Sequence, residues 1–226
     1  GSIIPGEIFN QASSGTINLH TSLLPKFRGA SPVESAIISG ESQTGISLQY
    51  ISEELDAGDI ILEKEIDISP QDNGGTLLNK LTLLGISEIS SLLRNYKNQK
   101  FSAKPQDHFN VSYCKKILSN DRLINFQKDA LSVFNRIRAY YPYHTAFCQF
   151  RNKRLNICEV KLYKEKKNTG HAEAGALFLV DKKTLVVECG DGEWLELNVV
   201  QPENKNQMTI SEFINGYRPL SGEKLN

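Results

Sequence analysis

Residues 17–60 read INLHTSLLPKFRGASPVESAIISGESQTGISLQYISEELDAGDI, and this stretch decides the fold. Ser13-Ser14-Gly15 marks a turn just before it, and residues 16–20 (TINLH) then read as a short strand. Residues 32–39 (PVESAIIS) carry Pro at a helix start, with Gly40 just past the end. Residues 45–51 and 59–66 are rich in Ile and Leu and read as strands. Strand and helix signals that alternate in this way predict an α/β layer architecture.

Working outward, residues 75–96 give the clearest helix. Leu77, Leu81, Leu84 and Leu92 recur at helical spacing, with Leu78, Ile89 and Leu93 beside them. Residues 97–113 lack periodicity and have the composition of a linker. Beyond them a helix is expected over 129–139. Strands are expected over 145–150, 155–163, 175–180, 184–189 and 194–200, with a tight turn at Asp191-Gly192. Thr209-x-x-Glu212 is a capping box that opens a final helix. Short strands at this spacing predict a small β-barrel as a second domain. The boundaries expected are a first domain over 1–96, a linker over 97–113 and a second domain over 114–226.

The 226 residues are 39% hydrophobic and 23% charged, with 26 basic and 26 acidic side chains. These proportions exclude collagen-like, disulfide-scaffold and disordered classes. No apolar run approaches the length of a membrane span, and neither a transmembrane helix nor a signal peptide is expected. The zero net charge is unevenly spread. Residues 115–167 hold 13 basic side chains against 4 acidic ones, the kind of excess that a polyanion such as nucleic acid selects. On charge alone, a solvated Lys-rich surface is the readier account. The four cysteines show no C-x-x-C pair and no metal-ligand spacing, so no metal is expected, and reduced thiols suit a cytoplasmic protein. The single methionine is Met208 and residue 1 is Gly, so the sequence reads as processed or as a piece of a longer protein.

Asn18 and His20 lie two apart on a strand and so face the same side. Asp56 follows in the turn Leu55-Asp56-Ala57-Gly58-Asp59. An amide donor, an imidazole and a carboxylate suit acyl transfer without a nucleophilic side chain, the first two stabilising an oxyanion and the third fixing the imidazole's tautomer. Residue types alone leave open that Asn18 caps a turn and that His20 is packed in the core. Ser22 lacks a G-x-S-x-G elbow, and no role is assigned to His108, His144 or His171.

N-x-H-x-S-L-L-P-x-x-R-G-x-x-P, then G-x-x-x-T-G, then L-D-x-G-D resembles the folate-dependent formyltransferase family, its methionyl-tRNA branch most closely. Asn135-Arg136-Ile137-Arg138-Ala139, Pro142, Gly190-Asp191-Gly192, Val200-Gln201-Pro202 and Phe213–Arg218 extend the likeness to the end of the chain. The resemblance implies a partial Rossmann-like catalytic domain, lacking its N-terminal part, followed by a small OB-like β-barrel. It implies 10-formyltetrahydrofolate as co-substrate, initiator Met-tRNA as partner and no metal. Asn18, His20 and Asp56 align with the family's catalytic trio. Ser22, Leu23, Leu24, Pro25, Leu55, Gly58 and Asp59 are expected to enclose the folate, with residues 1–5 flanking that pocket. Lys115, Lys116, Arg136, Arg138, Arg151, Lys153 and Arg154 are expected to meet tRNA phosphates. Two other readings stand beside this one: a sugar-nucleotide formyltransferase with the same donor, and an inactive RNA-binding remnant. The family reads P-W-P-G where this chain has Pro142-Tyr143-His144-Thr145.

Overall fold

The computed structural model describes residues 5–95, 101–164 and 173–226. It divides into two compact units, Gly1–Ile117 and Leu118–Asn226. The readings placed on residues 1–4, 96–100 and 165–172, His171 among them, lie outside the described residues.

The first unit opens with a short helix, α1 (Gly6–Phe9), and continues through β1 (Ile17–His20), β2 (Arg28–Gly29), α2 (Pro32–Ile38), β3 (Gln43–Tyr50), β4 (Ile60–Asp67) and α3 (Gly74–Arg94). Its sheet has the order β1-β3-β4 and is antiparallel throughout. β3 lies in the middle and is buried along nearly its whole length, with α3 packed against it, which explains its near-continuous run of apolar and small residues. Pro32 sits in the first turn of α2 as expected. α3 starts at a reciprocal cap, Asn73 accepting the Thr76 amide while Thr76 accepts that of Asn73. Such a cap contributes about 1 kcal/mol. Leu77, Leu81 and Gly85 form its buried face.

Residues 101–114, linker-like in composition, run along this same unit. Lys104 bridges Ile60, and the two-residue strand β5 (Tyr113–Cys114) pairs in parallel with β2. Gln106 is buried within the unit. The stretch is polar because its partners are the carbonyls and side-chain amides of loops rather than an apolar face.

The second unit holds α4 (Ala130–Tyr140), β6 (Phe147–Phe150), β7 (Lys153–Tyr163), β8 (Leu177–Leu179), β9 (Leu185–Glu188), β10 (Trp194–Pro202), β11 (Met208–Thr209) and α5 (Ile210–Tyr217). The strands run β6-β7-β10-β9-β8, all antiparallel, with β11 paired to β10. Arg151 and Asn152, with φ of 50° and 60°, make the two-residue turn between β6 and β7. Register shifts near Val199 bend β10, which lets one strand pair β7 along its length and β9 near its start. Leu155, Ile157, Leu177, Leu185, Leu195 and Phe213 fill the core. The Thr209–Glu212 capping box opens α5 as the sequence predicts.

All four cysteines are free and buried. Burial raises every thiol above its ordinary value, Cys158 to about 11 and Cys189 to about 12. Among the described residues no helix is long and apolar enough to cross a membrane, and no three His, Cys, Asp or Glu side chains gather as a metal site.

Candidate active site

Strand register builds the site. In the β1–β3 pair, Asn18 lies opposite Gln49 and His20 opposite Ser47. Asn18 and Gln49 therefore point their amides to one place, and both donate to Asp56 Oδ1, at 3.4 and 3.3 Å. The other carboxylate oxygen, Oδ2, accepts the Gly29 amide at 2.8 Å and lies 3.6 Å from His20 Nδ1. The far ring nitrogen, Nε2, is 2.9 Å from the carbonyl of Phe27. A carbonyl only accepts, so Nε2 carries a proton and Nδ1 is left to face the carboxylate. The imidazole is buried. Asn18, His20 and Asp56, up to 38 residues apart, thus meet in one constellation.

Two backbone positions beside this group are strained. Phe27 and Asp56 have φ of 59° and 50°, a left-handed region that non-glycine residues seldom enter. Each conformation aims a carbonyl inward, where it is held: Phe27 O by His20, Asp56 O by the Gln106 amide at 2.9 Å. The glycines around them permit close approach. A Cβ on Gly58 would strike the Tyr50 carbonyl, and one on Gly29, at φ 118°, would strike that of Cys114.

The loop from Ser22 to Pro25 is built by hydrogen bonds of its own. Ser22 Oγ donates to Lys26 O at 2.6 Å, and Leu24 N donates to Ser47 Oγ at 2.9 Å. Ser22 and Leu24 are buried, while Leu23 and Pro25 are half-buried. Ser47 Oγ also lies 3.2 Å from Glu63 Oε1, and burial holds the Glu63 carboxyl above its usual range despite that contact. In the 55–59 turn, Leu55 and Asp59 are exposed and Gly58 is buried.

The residues expected to meet tRNA are divided. Lys115 and Lys116 are exposed in the first unit; the other five lie in the second. Arg151 donates to both Glu223 oxygens and to the carbonyls of Tyr217 and Arg218. Arg136 donates to the Asp121 carbonyl and Arg138 to Asn135 Oδ1. Arg154 stacks over Phe147 at 3.8 Å, and burial together with the charge of Arg122 lowers its pKa. Lys153 and Arg154 join Arg151, Lys205, Phe213 and Tyr217 around a cavity of about 290 Å³.

Sequence reasoning gave no role to Gln49, Gln106, the Phe27 carbonyl or the Gly29 amide. Only the cross-strand partner of Asn18 carried a usable signal. A polar side chain opposite another polar side chain, on a strand otherwise buried, marks a wet or functional edge.

Residues 1–91 match the family described as formyl transferase, and residues 116–218 match the formyl transferase C-terminal domain. A methionyl-tRNA formyltransferase of Leptospira interrogans is 47% identical over 226 residues, which are 99% of this chain and 70% of that protein. Among solved structures, HypX from Aquifex aeolicus in complex with tetrahydrofolic acid superposes with a TM-score of 0.74 at 17% identity. That match covers 99% of this chain, which spans only 38% of the HypX chain. Methionyl-tRNA formyltransferase from Clostridium thermocellum superposes at 0.62 with 19% identity, covering 91% of this chain and 75% of that one. The fold is shared with both structures, and the identity to the Leptospira enzyme reaches further than fold: the chain belongs to the methionyl-tRNA formyltransferase family.

Proposed function

We propose that this chain moves a formyl group from 10-formyltetrahydrofolate to the α-amine of methionine carried by initiator tRNA, in the cytoplasm. One observation carries the reading: the amide of Asn18 and the imidazole of His20 converge on the carboxylate of Asp56. The first unit is then the carboxy-terminal half of a Rossmann-like catalytic domain over 1–96 with its 97–113 extension. The second, Leu118–Asn226 in place of the 114–226 expected from sequence, is an OB-like barrel that holds tRNA.

The donor set fits a formyl carrier. Asn18 holds Asp56 by only a long 3.4 Å bond, so its amide can turn to a carbonyl oxygen. The side chain of Leu55, 55% exposed at the turn tip, offers an apolar face to a flat ring. Leu23, Leu24 and Pro25 would form the opposite wall on a loop pinned by Ser22 and Ser47, with Gly58 and Asp59 closing the turn.

The attacking amine forms a bond to the formyl carbon, and the carbonyl electron pair moves onto oxygen. Asn18 stabilises that oxyanion, and His20 shares the task once its Nε2–H turns from the Phe27 carbonyl to the substrate oxygen. The oxyanion then collapses and breaks the bond from carbon to the folate nitrogen. The amine's proton passes through the Asp56–His20 pair, whose 3.6 Å gap is placed to share it, and reaches the leaving nitrogen. No side chain is acylated.

On the tRNA side, the cavity bordered by Lys153, Arg154 and Lys205 sets cations beside the half-buried ring of Tyr217, which the buried Phe213 backs. Lys115, Lys116, Arg136, Arg138 and Arg151 complete the basic set on this reading. The test is formyl transfer assayed side by side to Met-tRNA and to an aminosugar nucleotide. Transfer to Met-tRNA supports the proposal. Transfer to the sugar alone, or RNA binding with no transfer, overturns it.

A further inference from the structure

The amide of Gln106 occupies a junction that the proposed mechanism does not use. Its Oε1 accepts Arg28 Nε at 3.1 Å and Arg28 Nη2 at 2.7 Å. Its Nε2 lies 2.8 Å from Gly58 O, 2.9 Å from Asp56 O and 3.1 Å from Gln49 Oε1. Five hydrogen-bonding partners fix the orientation, since reversing the amide would set its NH2 against a guanidinium and its oxygen against three oxygens. Gln106 and Arg28 are 5% and 1% exposed. Arg28 is anchored on its other side by Glu54 Oε1 at 3.0 Å.

Two routes run from this junction to Asp56. One is direct, through the Asp56 carbonyl, and holds a backbone at φ 50° that would otherwise relax. The other passes through Gln49, whose Oε1 accepts from Gln106 and whose Nε2 donates to Asp56 Oδ1. The guanidinium charge of Arg28 polarises the Gln106 amide and strengthens both. We propose that Gln106 is a positioning residue, which with Arg28 and Gln49 sets the carboxylate of Asp56 against His20. The inference rests on the function proposed above, because it assigns the placement of that carboxylate to a residue 50 positions away.

Gln106→Glu separates this role from a structural one. The variant keeps the shape and both Arg28 contacts, so the strap stays attached, but it replaces the NH2 that faces three acceptor oxygens, with two hydrogens shared among them, by an acceptor. In the full-length enzyme we expect kcat to fall about 10²-fold, the size of effect that misplacing a reacting group by 1 Å produces. KM for either substrate is expected to stay close to the parent's, while the thermal midpoint falls, because a carboxylate oxygen then faces three acceptor oxygens in a buried site. A second readout needs no turnover. The Gly29 amide donates to Asp56 Oδ2, so its hydrogen-exchange protection reports where the carboxylate sits, and it should fall in Gln106→Glu. A folded variant with parental kcat and parental Gly29 protection overturns the inference. So does one that loses only stability. If Gln106→Glu does not fold, Gln49→Met, which removes the second route alone, must lower kcat and Gly29 protection, and parental values there overturn the inference. If the unsubstituted enzyme transfers no formyl group, the proposed function fails, and the Gly29 exchange in the variants still decides the positioning role.

Discussion

Gly29 donates its amide to Asp56 Oδ2 at 2.8 Å while its backbone sits at φ 118° against the Cys114 carbonyl. The donor that orients the carboxylate is thus supplied from a backbone shape that only glycine adopts without strain. Gly29→Ala is expected to lose about 2–5 kcal/mol of stability, combining backbone strain with a collision that has no room to relax. Denaturant unfolding of the two proteins measures it. An alanine variant as stable as the parent would mean that the close approach to Cys114 is not needed.

Asp56→Asn keeps the side-chain shape but turns one of its two acceptor oxygens into a donor. Asp56 receives amides from Asn18, Gln49 and Gly29 and faces the imidazole, so the variant sets donor against donor. Formyl transfer should fall by about 10²–10⁴ with the fold kept, and His20→Ala should fall similarly. Steady-state rates checked against circular dichroism decide it. Normal rates in either variant remove the mechanism.

Lys153 and Lys205 border the cavity of the second unit beside two aromatic rings. If they meet tRNA phosphates, Lys153→Gln and Lys205→Gln should each weaken tRNA binding. Each should also reduce the slope of log affinity against log salt by about 1. Binding titrations at several salt concentrations, with unchanged KM for the folate, would locate the effect on the RNA side. An unchanged slope would move the tRNA surface elsewhere.

Glu223 and Arg151 tie the end of the chain to the β6–β7 turn by two hydrogen bonds, at 2.8 and 2.9 Å. The bonds from Arg151, joined by the Leu220 amide, hold the Glu223 carboxyl below its ordinary range, although burial works the other way. Its charged form is therefore favoured in the folded state. The stabilisation is complete above the unfolded carboxylate value and is lost as pH falls through the lower folded one. Glu223→Gln should lower the thermal midpoint slightly at neutral pH, and the difference should vanish in strong acid. A difference that grows towards low pH contradicts this sign. The pair is partly exposed, so the effect is small and weakens with salt.

Much of this architecture was legible because its signals are local. Leucines at helical spacing mark α3, one capping box marks α5, and short apolar runs between turn residues mark β6 to β10, while the two-residue β11 leaves no such signal. His20 and Asp56 were legible because a multi-part motif spans both. The supporting network was not. Gln106 reaches Arg28 across 78 residues and Gln49 across 57, and no periodicity joins positions that far apart. The β2–β5 pair is two residues long, too short for alternation to register. Polarity does not distinguish residues 101–114 from a free linker, since a strap that satisfies buried carbonyls has the same composition as one that floats in water. The antiparallel order of the first sheet was equally silent, because strand direction leaves no mark on composition.

The four sequestered sulfurs make the folded protein blind to maleimides and to mild oxidants, electrophiles that only an accessible thiolate attacks. One new cysteine placed on an exposed turn, such as Glu53→Cys, would then be the sole handle for a dye or a crosslinker. The dyed protein would let the approach of RNA to the 55–59 turn be followed by fluorescence without first stripping the native sequence of its sulfur.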